Sequence, residues 1–482
     1  MFDLKPISLV LGFLICATGF FLSIPLITEI IYGTDQWQVY AVPFIIYLII
    51  GGSLIIINKD TEMKLNLKGA FFLTGLSWVV MAFICAVPLM YAKTNLSFFD
   101  AFFESMSGIT TTGSTVISNL DNQPKGILIW RSLLQWLGGI GIIVLAISVL
   151  PFLKVGGMQL FHMEGDDPYE KFLPRISAVV SKIFMIYLAL TLICVFSYYS
   201  CGMSFFDALT HSFSTISTGG FSTHDESFAF FQNNNILLVS IIFMLIGSFP
   251  FIILAQISIK NPLILLKDQQ VRLFISIIIA LIFSLYFLVG DQISSSISQK
   301  FITISFNSIS IITGTGFISD NFENWGNYSS ILFLFIMFIG GCAGSTTGGL
   351  KIFRFQILFL SVKNHIRKLI KPHGVFVSKF NDKAIPDSTF DSVTSFFFVY
   401  ILGFILIAFL LSFSGLDLVT CLSAAATSIS NVGPGLGEMI GPEGNFALLS
   451  DYSKIILSLG MLFGRLEILT LLILLSPFYW KN

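Results

Sequence analysis

Charge is what this 482-residue sequence most lacks. Asp, Glu, Lys and Arg make up 11% of it, against roughly 25% in an ordinary soluble domain. A surface so poor in charge is not built for water. The net charge of −1 leaves no basic stripe of the kind nucleic-acid binding requires. Cysteine is scarce too. The six, at 16, 85, 194, 201, 342 and 421, form no CxxC pair and mostly lie inside apolar runs, so they read as small core residues rather than a disulfide framework or metal site. Enzyme signatures are also missing: the five histidines have no HExxH spacing, and there is no GxSxG elbow, paired His/Asp cluster or nucleotide fingerprint. The expectation is a non-enzyme without a covalent cofactor.

What the sequence has in excess is apolar: 55% hydrophobic residues, 15% aromatic, 52 of them Phe. A bilayer-spanning helix needs about 20 mainly apolar residues. Ten stretches qualify, near 7–31, 39–57, 70–92, 127–150, 177–200, 235–258, 273–290, 329–349, 391–413 and 454–476. The first is too long for a signal-peptide core and lacks a small-x-small cleavage site, so it is expected to be a retained helix. With the N-terminus inside, the inner segments hold 19 Lys and Arg and the outer segments five. That asymmetry predicts cytoplasmic termini and a cytoplasmic 350–390 segment, with eight basic residues from Lys351 to Lys383. This basic segment suits either anionic lipid or a docking partner. Lys454, at an outer end, reads as a snorkelling surface residue.

Between crossings lie shorter apolar stretches that end in glycine-bearing turns. Residues 97–113 and 204–220 match at 10 of 17 positions without a gap. A looser third copy ends at Gly316 and a fourth at Gly433, giving spacings of 107, 96 and 117. This is an internal fourfold repeat. Ser97 with Asp100, and Ser204 with Asp207, have the S-x-x-D pattern of a capped helix start. A half-helix of about 12 residues cannot span the bilayer, so it must enter and turn back. Its C-terminal dipole then favours a cation at the membrane centre. Irregular backbone at that depth survives only when buried in protein or lining a water-filled path, and four such loops around one axis form a carbonyl-lined constriction. Glycine at 113, 220, 316 and 433 permits the backbone angles that aim carbonyls inward.

The predicted architecture is an all-α polytopic membrane protein of ten transmembrane helices. Four units, each helix, pore helix, filter loop, helix, surround a central pore: 69–175, 176–272, 273–390 and 391–482. Two extra N-terminal helices occupy 1–68.

A fifth glycine-rich segment, 340–349, has five glycines in ten residues. At about 1 kcal/mol lost per glycine relative to alanine, it should be unwound. It lacks the G-K-[ST] ending of a phosphate-binding loop. It reads as a plug below the filter, or as a kink that only packs helices. Arg465 lies 11 residues after Lys454, about 16 Å along a helix, hence near mid-bilayer. A charge there costs at least about 2.5 kcal/mol and is functional by default. It is expected either to line the pore and touch the plug, or to partner Glu467 or a carbonyl.

These loops, Thr110–Thr115, Ser217–Ser222, Thr313–Phe317 and Asn431–Gly435, resemble the filters of the Trk/Ktr/HKT potassium transporter superfamily. Residues 340–351 resemble its intramembrane gating loop, and 463–480 the last helix of its TrkH branch. The two helices before the repeats are also typical of that branch. The resemblance covers essentially the whole chain. It implies K⁺ binding by Thr111, Thr112, Gly113, Thr218, Gly219, Gly220, Gly314, Thr315, Gly316, Asn431, Val432 and Gly433. It further implies gating by Gly340, Gly341, Gly344, Ser345, Thr346, Thr347, Gly348, Gly349 and Arg465. Some relatives carry serine at the first filter glycine and admit sodium, so Gly113 favours potassium. Ser114-Thr115 stands where the family pattern has Ala-Thr. The resemblance also implies a homodimer with one pore per subunit, a bacterial inner-membrane location, and a cytoplasmic TrkA-type ring through which any nucleotide must act. A Na⁺- or H⁺-coupled symporter is the competing reading. Such carriers use broken helices and buried midplane carboxylates, of which Glu467 is the main example here.

Overall fold

The computed structural model describes residues 4–61, 66–148, 169–257, 263–293, 296–374, 376–381 and 383–480. Helices dominate. Among the described residues the only strand pairing is a two-residue antiparallel ladder, Lys379–Phe380 with Lys383–Ala384. Among the described residues seven helices are long and apolar enough to cross a membrane, or eight if one bent pair is a single span. Six of the seven bury only 22–39% of their apolar window, whereas Lys125–Leu145 buries 78%. Helices apolar on all sides face lipid or a core; the Lys125–Ser148 helix is therefore the interior one, with the others around it.

Three of the ten expected crossings take a different form. The stretch at 235–258 is a 14-residue helix, Asn234–Gly247, that stops at Ser248 before Pro250. At 1.5 Å per residue it is about 21 Å long, short of the roughly 30 Å core. The stretch at 329–349 is the ten-residue helix Asn327–Ile336 followed by non-helical backbone, as five glycines require. The stretch at 454–476 is two helices, Asp451–Arg465 and Ile468–Leu475, bent by 112°. Glu467 sits at the break with φ +61, a left-handed conformation uncommon for a residue with a side chain. Window-averaged hydropathy passes over all three breaks: the first two keep apolar or small residues, and at the third Arg465 and Glu467 are outweighed by the apolar residues on either side. The last residues of the expected 127–150 and 235–258 stretches, and Lys64, Lys154 and Lys260, lie outside the described residues.

The N-terminal pair packs by close backbone approach. A β-carbon on Gly12 would stand 3.0 Å from the Gly51 carbonyl oxygen, the small-residue contact that lets membrane helices meet. The pair is fastened to the first repeat by buried Glu29, whose carboxylate accepts the Gly126 N–H at 2.5 Å. That N–H opens the Lys125–Ser148 helix, where a carboxylate also meets the positive end of the dipole.

Candidate ion pathway

Four half-helices are present: Phe98–Ile109, Phe205–Ile216, Ile297–Ile312 and Leu418–Ser430. Each starts at a side-chain cap. The Ser97 and Ser204 hydroxyls accept the N–H groups of Asp100 and Asp207 at 3.2 and 3.0 Å and donate to their carboxylates at 2.8 and 2.7 Å. In the third copy Ser296 accepts from Gln299. In the fourth, Asp417 accepts from Val419 and Thr420 at 3.1 Å each. Such caps are worth about 1 kcal/mol apiece.

The half-helices end identically. In each, a backbone N–H reaches five residues back: Thr112 to the Ser107 carbonyl, Gly219 to Ser214, Thr315 to Ser310 and Val432 to Thr427, at 2.8–3.1 Å. The residue before this donor is left-handed in all four loops, at Thr111, Thr218, Gly314 and Asn431, with φ between +51 and +66. The residue after it is a glycine with φ from +80 to +113: Gly113, Gly220, Gly316 and Gly433. Only glycine adopts such angles without cost.

The four glycines close a ring. A β-carbon on Gly113 would overlap the Gly219 carbonyl oxygen, one on Gly220 that of Thr315, and one on Gly316 that of Val432. One on Gly433 would lie 2.9 Å from the Thr112 carbonyl oxygen. Each loop thus seats its glycine on the middle residue of the next, and the fourth returns to the first. All four glycines line one cleft of about 80 Å³. Eight of the twelve expected filter residues thus meet in the ring, as Gly113 with Gly219, Gly220 with Thr315, Gly316 with Val432 and Gly433 with Thr112, and the four glycines line the opening.

Polar side chains hold the ring from behind. Gln135 on the interior helix donates to the Gly219 carbonyl at 2.5 Å and accepts the Phe221 N–H at 3.0 Å. Asn431 donates to Thr112 Oγ1 at 2.9 Å and to the Met461 carbonyl at 3.0 Å. Ser114, the departure from the family pattern, donates to the Gly433 carbonyl at 2.7 Å. Arg131 is fully buried beside Glu104, with Nε to Oε1 at 2.7 Å, and also donates to the Ser222 carbonyl and Thr115 Oγ1 at 3.0 Å. Arg131 is one of the five Lys and Arg that the charge count assigns to outer segments; it lies behind the ring instead. Lys454 is corrected likewise: 4% exposed, it pairs with Asp100 at 2.6 Å rather than snorkelling to the surface.

The 340–349 segment is non-helical and lies under the ring. Thr346 Oγ1 donates to the Gly247 carbonyl at 2.9 Å and stands 3.1 Å from Thr218 Oγ1. A β-carbon on Gly348 would overlap the Ser430 carbonyl oxygen at the end of the fourth half-helix. Gly340 donates to the Leu350 carbonyl at 2.8 Å, and Gly341 to Thr347 Oγ1 at 3.1 Å. Ser345 Oγ lies 2.8 Å from Thr347 Oγ1. Gly344 and Gly349 are left-handed. Arg465 donates to the Thr346 carbonyl at 2.9 Å and to the Gly138 carbonyl at 3.3 Å, so it ties the segment to the interior helix. It does not pair with Glu467, which takes Arg354. Lys351 returns to the Thr347 carbonyl and hydroxyl. A cavity of about 30 Å³ lies here among Thr347, Gly348, Lys351, Arg354, Arg465 and Glu467, room for water on the scale of a molecule or two. Lys351 and Arg354 as members of this cluster went unread in the sequence, where they pass for cytoplasmic loop charges.

Beyond the ring, the loops that link the helices are stapled to one another. His224 Nδ1 lies 2.5 Å from Asp121 Oδ1, and Nε2 lies 3.5 Å from Asp207 Oδ1. Burial opposes the imidazolium, but hydrogen bonds to Asp207 and Asp121 outweigh it and raise the pKa above the usual 6.5. Burial likewise opposes the Asp121 carboxylate, and the bond to His224 is the leading cause that lowers its pKa.

Four half-helices turned back within a helical, apolar shell, with one closed ring of loops, define a membrane protein of the pore-loop class. Residues 37–482 match the family model TrkH, described as cation transport protein. The chain is 40% identical to the Trk system potassium uptake protein TrkI of Halomonas elongata, over 99% of this chain and 97% of that one. It is 37% identical to the potassium uptake protein TrkH of Vibrio parahaemolyticus, over 99% of both. The crystal structure of the Vibrio parahaemolyticus potassium transporter TrkH superposes with a TM-score of 0.91 at 36% identity, covering 99% of this chain and 100% of that one. The chain belongs to the TrkH family of cation transport proteins.

Proposed function

We propose that the chain takes up potassium across the bacterial inner membrane through the four-loop ring. The carrying observation is that ring: four left-handed glycines, each seated on the next loop's carbonyl. Half-helix C-termini aimed at it favour a cation, and loop carbonyls replace the ion's water. The relatives' role in potassium uptake supports K⁺ as the ion. The ten-crossing arrangement belongs to the same proposal, with Asn234–Gly247, Asn327–Ile336 and the bent pair counted as crossings and both termini cytoplasmic.

The 340–349 segment is the gate in this reading. Its position beneath the ring, and the small cavity of about 30 Å³ beside Arg465, support a resting plug clamped by Arg465. Movement of the segment would open the path. Conduction is channel-like, because the buried carboxylates at this depth are already committed: Glu104 to Arg131 and Glu467 to Arg354. A coupled symporter needs an acid free to take up and release its ion.

The chain is further proposed to work as a homodimer under a TrkA-type cytoplasmic ring. Phe359, Val362, Ile366 and Leu369 stand exposed on the Ile352–Ile370 helix at helical spacing, next to basic Lys363, Arg367 and Lys368. An exposed apolar stripe of this kind marks a contact surface. Light scattering on the purified chain reads the dimer; a monomer mass would remove it.

The test of transport is rubidium uptake into liposomes holding purified protein. Uptake driven by a potassium gradient alone, without added sodium and without a proton gradient, supports the channel-like reading. A strict requirement for either coupling ion overturns it.

A further inference from the structure

We propose that a phospholipid acyl chain from one leaflet occupies a cavity between the first N-terminal helix and the first repeat. The cavity measures about 460 Å³ and lies between three membrane-spanning helices, Leu4–Phe21, Leu67–Tyr91 and Lys125–Ser148. Its walls include Leu14, Phe21, Trp78, Met81, Ile109 and Ile140. Protein interiors hold few voids larger than a water, and a cavity of about 150 Å³ lined by apolar side chains already accepts benzene. A space about three times that size among lipid-facing helices is a binding site rather than a packing defect.

The chemistry of the walls selects the occupant. No charged residue lines the cavity among the described residues. The three lining hydroxyls are all committed to their own helices. Thr18 donates to the Leu14 carbonyl at 2.9 Å, Thr74 to Ala70 at 2.8 Å, and Ser77 to Thr74 at 3.0 Å. A trapped water needs two to four polar partners; these three hydroxyls have committed their protons and keep only acceptor lone pairs, scattered in walls that are otherwise apolar, so the space favours hydrocarbon. It is open sideways: Ala17 is exposed, and Leu14, Leu137 and Ile140 are half-buried, all on spans whose surroundings are lipid tails.

Length points the same way. Along the first helix the lining runs from Val10 to Phe21, about 16 Å at 1.5 Å per residue. That is about half of the 30 Å hydrocarbon core, the depth one leaflet's tail covers. With the N-terminus cytoplasmic, the leaflet is the inner one. The inner wall gives the site its consequence. Ile109 is the last residue of the first half-helix, and Gly138 supplies the carbonyl that Arg465 holds. The tail therefore packs against the support of the first filter loop and the anchor of the gate clamp.

The test is photolabelling of the full-length protein in liposomes doped with a phospholipid carrying a diazirine on its acyl chain, followed by peptide mapping. Gly141 faces the cavity with open space: a β-carbon there meets only Trp78, at 3.9 Å. Gly141→Leu fills the site from one wall and Ala17→Phe from another, so one variant can be read if the other fails to fold. The wild type should be labelled at residues 10–21, 73–81 and 137–145. Either variant should lose about fivefold or more of that labelling, while the exposed Phe398 and Phe409 keep theirs. Equal labelling in wild type and filled variants overturns the site. So does labelling of these segments no higher than at Phe398. Labelling by a diazirine free fatty acid but not by the phospholipid overturns the assignment to phospholipid.

Discussion

At the scale of single residues, the filter glycines are where the least change does the most harm. Gly316 has φ +80, and a β-carbon there would overlap the Val432 carbonyl oxygen of the next loop. Backbone cannot yield as a side-chain tip can. Gly316→Ala should cut rubidium uptake by about tenfold or more, since strain of about 1–3 kcal/mol is set against a ring only one loop thick. Uptake within about twofold of wild type, at equal expression, would show that the ring tolerates side chains. Arg131 and Glu104 make a second residue-scale prediction. Removing one member of a buried pair strands the other's charge and costs about 3–5 kcal/mol, whereas replacing both is far milder. Arg131→Met should therefore lower the melting temperature in detergent more than the Arg131→Met, Glu104→Met double variant. A double variant less stable than the single one would contradict this account.

At the scale of elements, the 340–349 segment, the proposed gate, and the His224 staple behave as units. Arg465 bridges the Thr346 and Gly138 carbonyls, so Arg465→Ala releases the segment from the interior helix. Resting cation flux in liposomes should rise several-fold, and deletion of 343–348 should raise it further, as expected for a barrier of about 1–2 kcal/mol. Unchanged or abolished flux in a well-folded protein would remove the plug from the account. The staple has a pH window. The His224 pKa is raised in the folded protein, so its stabilisation is present in full below the usual 6.5 and fades as pH rises through the raised value. The Asp121 pKa is lowered, so its share is present above 3.8 and is lost only as pH falls through the lowered value. Between the two, at about pH 5.5, His224→Gln should cost the most thermal stability, and the cost should shrink toward about pH 9. A cost that is flat or growing with pH would count against the staple.

These elements also mark where a sequence can and cannot be read. The half-helices were legible because a cap pattern and a shared 17-residue register recur. The frame of the four loops was legible because glycine stands at 113, 220, 316 and 433, where a left-handed backbone must sit against a carbonyl. Arg465 was legible because a charge stands out in an apolar run. Its carbonyl acceptors were not, since Thr346 and Gly138 lie 119 and 327 residues away. For the same reason Lys454 passed for a surface residue: Asp100 meets it only once the first and fourth repeats are side by side. The broken helices were invisible to hydropathy, although Pro250 and the five glycines of 340–349 were local signals for two of the three.

For the whole molecule, the fourfold arrangement is closed by different chemistry at each seam. Repeats one and two meet through His224 with Asp121 and through Arg131 with the Ser222 carbonyl. Repeats two and three meet through backbone: the N–H groups of Phe228 and Ala229 donate to the Ile318 carbonyl. Three and four are joined by the Glu323 carboxylate, which accepts the Gly437 N–H at 2.8 Å. Four and one are joined by Lys454 with Asp100 and by Ser114 with the Gly433 carbonyl. The ring is thus conserved in backbone geometry while its supports have diverged, which is why the repeat shows strongly in only two of the four copies. A ring of this kind makes one demand above all. On the proposed function, its glycines set which ion passes. Rubidium flux in liposomes with competing sodium, on wild type and Gly113→Ser, measures that directly. A side chain at 113 would press on the Gly219 carbonyl oxygen, so the variant should lose discrimination against sodium by about tenfold, or about 1.4 kcal/mol. Discrimination equal to wild type in an active Gly113→Ser protein would contradict the assignment of these loops as the filter.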